Sequence, residues 1–270
     1  ELTAPQIKSQ SKSRHHDLGL TGEVLSASQN VLEKALQGKR ALTRDEIGDI
    51  LNQAGISPEG QRLPHILMED EIESLICSGP IIGKKQTFML LEERVPKKNL
   101  LPKEEALALL ARKYFSSHGP ATLADFIWWS GLRVNDARKA LEMVKNDFIS
   151  LTIDDQTYWF TEPVSNHSSR SDSVFLLPAF DEYLIAYRDR SAAITLDHHT
   201  KAISNNGVFR PIIVVNGHIS GLWKRTFTKN SVIIELDHFR PHNKKEVQLI
   251  EKASEKYGYF SARNAILKPK

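Results

Sequence analysis

The sequence predicts an α+β protein in which one helix-and-hairpin unit occurs twice and a small mixed α/β domain follows. Two observations point to the repeat. Thr43-Arg44-Asp45-Glu46 and Thr122-Leu123-Ala124-Asp125 each place a threonine three residues before an acid at the start of an apolar-periodic stretch, the signature of a helix-opening capping box. Each is followed by a further helical stretch and then by two short strands. The third observation is a change of character. A serine-rich, aperiodic run over 163–173 separates these units from strands gathered around Asn216-Gly217, a two-residue hairpin signal.

The elements follow in order. Residues 1–21 are polar and basic, with Lys8, Lys12, Arg14, His15 and His16, and read as a solvated connector or a phosphate-binding arm. Val24, Leu25, Val31, Leu32, Ala35 and Leu36 recur at helical spacing, with Gly38 as a stop. The helix capped by Thr43 carries Ile47, Ile50 and Leu51 and closes at Gly55. Pro64 restrains a third helix to begin near Gln61. Leu75 to Cys77 and Phe88 to Leu91 then flank a glycine-punctuated turn tipped by Lys84 and Lys85. Three short helices and a hairpin make a winged helix, expected over 22–95. The second copy, over 102–162, has helices at Lys103 to Ser117, from Thr122 to Gly131, and at Val134 to Lys145. Its strands are Ile149 to Ile153 and Tyr158 to Thr161. In the domain over 174–270, strands are expected at Val174 to Leu177, Ile212 to Val215, His218 to Trp223 and Ser231 to Leu236. A short helix or turn is expected from Phe180 to Arg188, and an amphipathic helix from Lys244 to Tyr257, closed by Gly258.

Composition narrows the function. With 36 basic against 33 acidic side chains the net charge is only +3, so nucleic-acid binding requires basic groups gathered on one surface. The single cysteine, Cys77, excludes an intrachain disulfide and fits a reducing cytoplasm. No apolar run approaches the roughly 20 residues that cross a bilayer. No phosphate loop, nucleophile elbow or metal-ligand spacing occurs; Pro241 keeps His238 and His242 off a shared helical face. No metal and no cofactor is therefore expected.

A winged helix enters DNA with its third helix and touches the backbone with its wing. The first unit nominates Gln61, Arg62 and His65 on the third helix and Lys84, Lys85 and Gln86 on the wing, although Glu69, Asp70, Glu71 and Glu73 make the far end of that helix acidic. The second nominates Arg133, Asn135, Arg138, Lys139 and Lys145, with an acidic wing tip at Asp154-Asp155. In the C-terminal domain Arg188, Arg190 and Arg210 stand out, as do Asp181, Glu182 and Asp189. An acid there could activate water or stabilise an oxocarbenium ion, but alternating acids and bases usually mark a structural ion network.

Several strings resemble the AlkZ/YcaQ-like winged-helix DNA glycosylases. They are Gly60-Gln61-Arg62-Leu63 with Leu67-Met68, Cys77-Ser78-Gly79-Pro80, Leu91 to Pro96, and Tyr114 to Thr122 continuing to Trp128-Trp129-Ser130-Gly131-Leu132. After the break come Leu177 to Leu184, Tyr187-Arg188-Asp189-Arg190 and Asn206 to Pro211. The resemblance implies tandem winged helices and excision of alkylated or crosslinked bases from DNA; double-stranded DNA is the expected partner and a monomer the expected state. Its catalytic signature is Gln-x-Gln or Gln-x-Asp in a first winged helix, and no Gln-x-Gln occurs here. The two units are then expected to be the second and third winged helices, with the signature upstream of Glu1 and no catalytic residue transferable. A non-enzymatic DNA-binding or regulatory protein is the alternative, and a protein-interaction scaffold a third reading.

Overall fold

The computed structural model describes residues 2–95, 101–161 and 172–269, and the chain is a mixed α+β protein of two compact units, 1–106 and 107–270. Most of the stretch expected to be a linker, 163–173, lies outside the described residues.

Unit 1 opens with a helix where a solvated connector was expected. Helix α1 (Ala4–Asp17) has proline in its first turn, where the missing N–H costs nothing. Its sequence lacks an apolar stripe, and charge docks it instead. It is joined by α2 (Gly22–Leu36), α3 (Arg44–Gln53) and α4 (Arg62–Ile72). Thr43 caps α3 in a reciprocal capping box with Glu46. Strands β1 (Leu42–Thr43), β2 (Ile76–Ser78) and β3 (Thr87–Leu90) form an antiparallel sheet in the order β1-β3-β2, and the short helix α5 (Leu91–Arg94) follows. Leu32, Leu36, Ile47, Leu51, Ile66 and Leu90 are buried together between helices and sheet; each such side chain contributes about 1.5–3 kcal/mol by leaving water.

Unit 2 repeats the arrangement. Helices α6 (Lys103–His118), α7 (Leu123–Ser130) and α8 (Val134–Val144) accompany strands β4 (Ala121–Thr122), β5 (Ile149–Ile153) and β6 (Gln156–Phe160), in the sheet order β4-β6-β5. Thr122 and Asp125 form the second capping box, and Gly131 ends α7 in the left-handed conformation.

The remainder of unit 2 is a five-stranded sheet ordered β11-β10-β9-β8-β7. Its strands are β7 (Val174–Leu177), β8 (Ile212–Val215), β9 (His218–Phe227), β10 (Ser231–His238) and β11 (Asn264–Pro269). The helices are α9 (Glu182–Ile185), α10 (Leu196–Ala202) and α11 (Lys244–Phe260). Ile250 of α11 packs with Ile213, Val215, Trp223 and Ile234. Leu184, Ile194 and Ala202 pack with Ile212, Val214 and Ile219. Since neighbouring strand residues face opposite ways, both faces of the sheet are covered.

Several boundaries differ from expectation. Strand β9 continues past Trp223 because its polar end is paired, with Lys224 opposite Glu235 and 3.1 Å from it. Helix α11 runs through Gly258 to Phe260. A Cβ at Gly258 would lie 2.9 Å from the Ala265 side chain, so this glycine allows close approach of β11 and is not a stop. Helix α10 and strand β11, which pairs parallel to β10, fall in stretches with no apolar periodicity that reasoning from sequence could detect.

Candidate nucleic-acid interface

In unit 1 the residues nominated on α4 are already engaged. Gln61, at the α4 N-cap, accepts a hydrogen bond from Arg14 Nη2 at 2.7 Å. Arg62 donates from Nε to the Ser57 carbonyl at 2.8 Å and from Nη1 to the Leu18 carbonyl. The His65 ring lies 5.3 Å from that of His15, edge on, and burial pushes its imidazole below the usual range. Lys8 pairs with Glu73 and lies 3.8 Å from Glu69. The basic side of α1 thus lies against the acidic end of α4, and α1 with the loops beside it occupies the side chains a groove-reading helix would need.

The wing of unit 1 is pre-shaped. Ile82 and Lys85 exchange two backbone hydrogen bonds of 3.0 Å around Gly83, and Gln86 reaches Ser78 at 3.1 Å. Lys85 pairs with Asp45 at 2.7 Å, both exposed, while Lys84 stands exposed at the tip.

In unit 2 the third helix has a solvent-exposed basic face. Ala137, Ala140, Leu141 and Val144 of α8 are buried, whereas Arg133, Asn135, Arg138 and Lys139 are exposed. Lys145 pairs with Glu142 at 2.7 Å. Asp154 and Asp155 both take positive φ in the turn between β5 and β6, so they serve turn geometry.

The candidate acids of 181–190 hold the chain in place. Asp181 caps α9 by accepting from Tyr183 N. Glu182 accepts from Trp129 Nε1 at 3.1 Å and lies 3.4 Å from Nε2 of His118. Asp189 accepts from Ser191 N at 2.9 Å, and this bond, helped by the nearby Arg190 charge, holds its carboxyl below the ordinary value. Sequence reasoning missed Asp125 as their anchor. One oxygen of this buried acid completes the Thr122 cap, and the other accepts from Arg188 N at 2.8 Å. Tyr114 and Trp128 donate to the carbonyls of Ala186 and Ile185, and Tyr187 donates to that of His118. Arg190 lies 5.0 Å from the Trp128 ring and 5.2 Å from that of Phe209, with Nε on the Leu184 carbonyl.

These staples leave two adjoining depressions beside β6. One, of about 690 Å³, includes Asp125, Gln156, Trp159 and Arg188. The other, of about 400 Å³, includes Gln156, Tyr158, Tyr183, Tyr187 and Arg190. Both arginines therefore line the cleft, Arg188 exposed and Arg190 half-buried against Trp128 and Phe209. Arg210 is exposed beside Trp223 and Lys224 in a separate depression. Although Pro241 keeps them off a helix, His238 and His242 meet with ring centroids 4.6 Å apart. Among the described residues no group of three or more His, Cys, Asp or Glu side chains is placed to hold a metal ion, and no helix is long and apolar enough to cross a membrane.

Comparison with known proteins places this geometry in context. The family described as AlkZ-like DNA glycosylases matches the chain over residues 2–260. Among solved structures, the Streptomyces sahachiroi DNA glycosylase AlkZ superposes with a TM-score of 0.73 at 18% identity, covering 100% of this chain and 75% of that one. A search of curated proteins finds no match to the sequence.

Proposed function

The chain belongs to the AlkZ-like DNA glycosylase family, and from that premise we propose that it is a duplex-DNA-binding part of a repair glycosylase that excises alkylated or crosslinked bases. In this reading residues 22–95 and 102–162 are tandem winged helices, and 174–270 is the α/β domain attached to them. The order β1-β3-β2 repeated as β4-β6-β5, each sheet with a threonine-capped helix, supports the pairing. The observation that carries DNA contact is the α8 face, where Arg133, Asn135, Arg138 and Lys139 are exposed opposite a buried alanine-rich side. Lys84, Arg188 and Arg210 add phosphate-type contacts. Gln61 and Arg62 recede because their polar groups already serve α1 and the loops around it, and His65 because its ring packs edge-on against His15.

Base excision needs an extruded or unstacked nucleotide, a placed water and stabilisation of a cationic sugar. No Gln-x-Gln or Gln-x-Asp occurs in the 270 residues, and Asp181, Glu182 and Asp189 each hold a structural hydrogen bond. The polarising group is therefore proposed to come from outside these residues. The same observation favours the second reading, a DNA-binding protein without chemistry.

Duplex affinity measured against salt is the test of the interface. Replacing Arg133, Arg138 and Lys139 by alanine should flatten the log–log slope by about 2–3 if all three touch phosphate, and an unchanged slope would remove α8 from the DNA. A base-release assay on alkylated duplex tests the chemistry. The chain should bind without releasing base, whereas release would assign the chemistry to it and make the three acids the first positions to mutate.

A further inference from the structure

At the far end of the C-terminal sheet lies a second surface with the chemistry of a nucleic-acid contact. Tyr259 and Phe260 close α11 with 90% and 84% of their surface exposed, and Phe227 at the end of β9 is 49% exposed. Large aromatic groups left this open on a soluble protein mark a binding surface. Basic groups surround them. Arg263 lies 4.9 Å from the Phe227 ring centroid, and Arg225 lies 6.0 Å from the same ring and 5.8 Å from that of Tyr257. The Arg263 guanidinium is held in place by Nε on the Thr228 carbonyl and Nη1 on the Ser261 carbonyl, at 3.3 and 2.8 Å. Lys229, Asn230, Glu255, Tyr259, Phe260 and Arg263 line one open depression.

We infer that this platform binds single-stranded nucleic acid, with Tyr259 and Phe260 stacking on unpaired bases and Arg225, Lys229 and Arg263 meeting the backbone. The depression carries Lys229 and Arg263 against the one acid Glu255, and Arg225 flanks it at Phe227, a balance that selects a polyanion over an uncharged apolar partner. The open rings select a single strand, because a duplex hides its base faces and presents mainly phosphate and groove edges. Stacking on an aromatic platform and a basic track are the two parts of sequence-tolerant single-strand binding. The cleft reaches Gly217, next to His218 at one end of β9, whereas the platform lies at Phe227, nine residues further along the strand, a span of about 30 Å. It is thus separate from the cleft at Arg188 and does not depend on the duplex reading.

Fluorescence anisotropy of the full chain with a labelled oligothymidylate tests the inference, with an unlabelled duplex of mixed sequence as competitor. Wild type should bind the single strand with salt-dependent affinity, and the duplex should compete poorly for this site. The double substitution Tyr259→Ala/Phe260→Ala should weaken binding about 30-fold or more, from two stacks of about 1–3 kcal/mol each. Lys229→Ala should flatten the salt slope by about 0.7 if it meets one phosphate. Both aromatic positions are exposed, so the fold should survive, and an unchanged circular dichroism spectrum checks this. The inference is overturned if wild type has no affinity for the single strand, or if the double variant binds it equally well. It is equally overturned if the double variant changes only the sedimentation behaviour, since the patch would then join protein to protein.

Discussion

Replacing Asp70 by asparagine should stabilise the protein at alkaline pH and do little at acidic pH. Asp70 lies on α4 with no exposed surface, and neither carboxylate oxygen has a hydrogen-bond partner. Gln29 is the nearest polar help, close enough to be felt but outside hydrogen-bond geometry. Burial, reinforced by Glu69, pushes the carboxyl from its ordinary 3.8 up to about 7. The unfolded chain therefore gives up this proton at lower pH than the folded one. Stability must fall as pH rises from about 4 to about 7 and stay low above that. A carboxyl held near 7 against 3.8 costs at most about 4 kcal/mol once fully ionised, and water penetration lowers this to about 2–3 kcal/mol. Asparagine removes the charge but adds an amide donor needing a partner, which returns about 1 kcal/mol. The net gain expected for Asp70→Asn is about 1–2 kcal/mol at pH 8.5 and none at pH 5. Urea titrations of both proteins at the two pH values give it as a double difference, in which every other titrating group cancels. If the difference between the proteins does not change with pH, Asp70 is either solvated or partnered and the reasoning is wrong.

Thr43→Ala and Thr122→Ala should each cost about 1 kcal/mol in chemical denaturation, the usual loss of an N-cap oxygen. Asp125→Ala should cost more, about 2 kcal/mol, because it also removes the acceptor of the part-buried Arg188 N–H. Tryptophan emission should shift with it as Trp128 and Trp129 lose the segment they bind, whereas Glu46→Ala, lacking that second role, should lose only the cap. Arg240, with help from the cap amide of Asn243 and from His242, holds Glu246 at about 2. Its stabilisation is present above pH 4.5 and is lost as pH falls toward 2. Glu246→Gln should flatten acid denaturation in that window by about 1–2 kcal/mol, once solvent screening of the half-exposed Arg240 is allowed for.

What was legible in the sequence is what local chemistry encodes. The two capping boxes, the Asn216-Gly217 turn with its positive φ at both residues, and strands β7 and β8 were readable because each uses a residue type with few other conformational uses. Helix α1 was not, since its partner is a charged face more than forty residues away and nothing in its own pattern is apolar. The candidate site suffered for the same reason. Whether Arg62 or Glu182 is free to meet a ligand depends on the Leu18 carbonyl and the Trp129 indole, and sequence spacing is silent about both. Asp125 read as a cap from its offset to Thr122, but its second oxygen serves a residue 63 positions later.

The two similar units differ most in their third helices, and that difference follows from charge. Helix α4 gathers Glu69, Asp70, Glu71 and Glu73, and Lys8 of α1 answers two of them. A helix carrying that many acids is repelled by phosphate wherever the Debye length, about 8–10 Å at physiological salt, lets them be felt. Covering it with a basic helix removes the repulsion and the readout face together. Helix α8 and its N-cap carry Arg133, Arg138 and Lys139 at exposed positions that its alanine-rich core side leaves outward, and Lys145, beyond its end, pairs with Glu142. If α8 meets DNA as proposed, the repeat divides its labour: the first copy helps to build the protein and the second serves the partner. Reversing the charge of α8 with Arg138→Glu and Lys139→Glu should then abolish duplex binding at physiological salt. The same reversal at Lys8 should instead destabilise unit 1 and leave the salt slope of duplex binding unchanged.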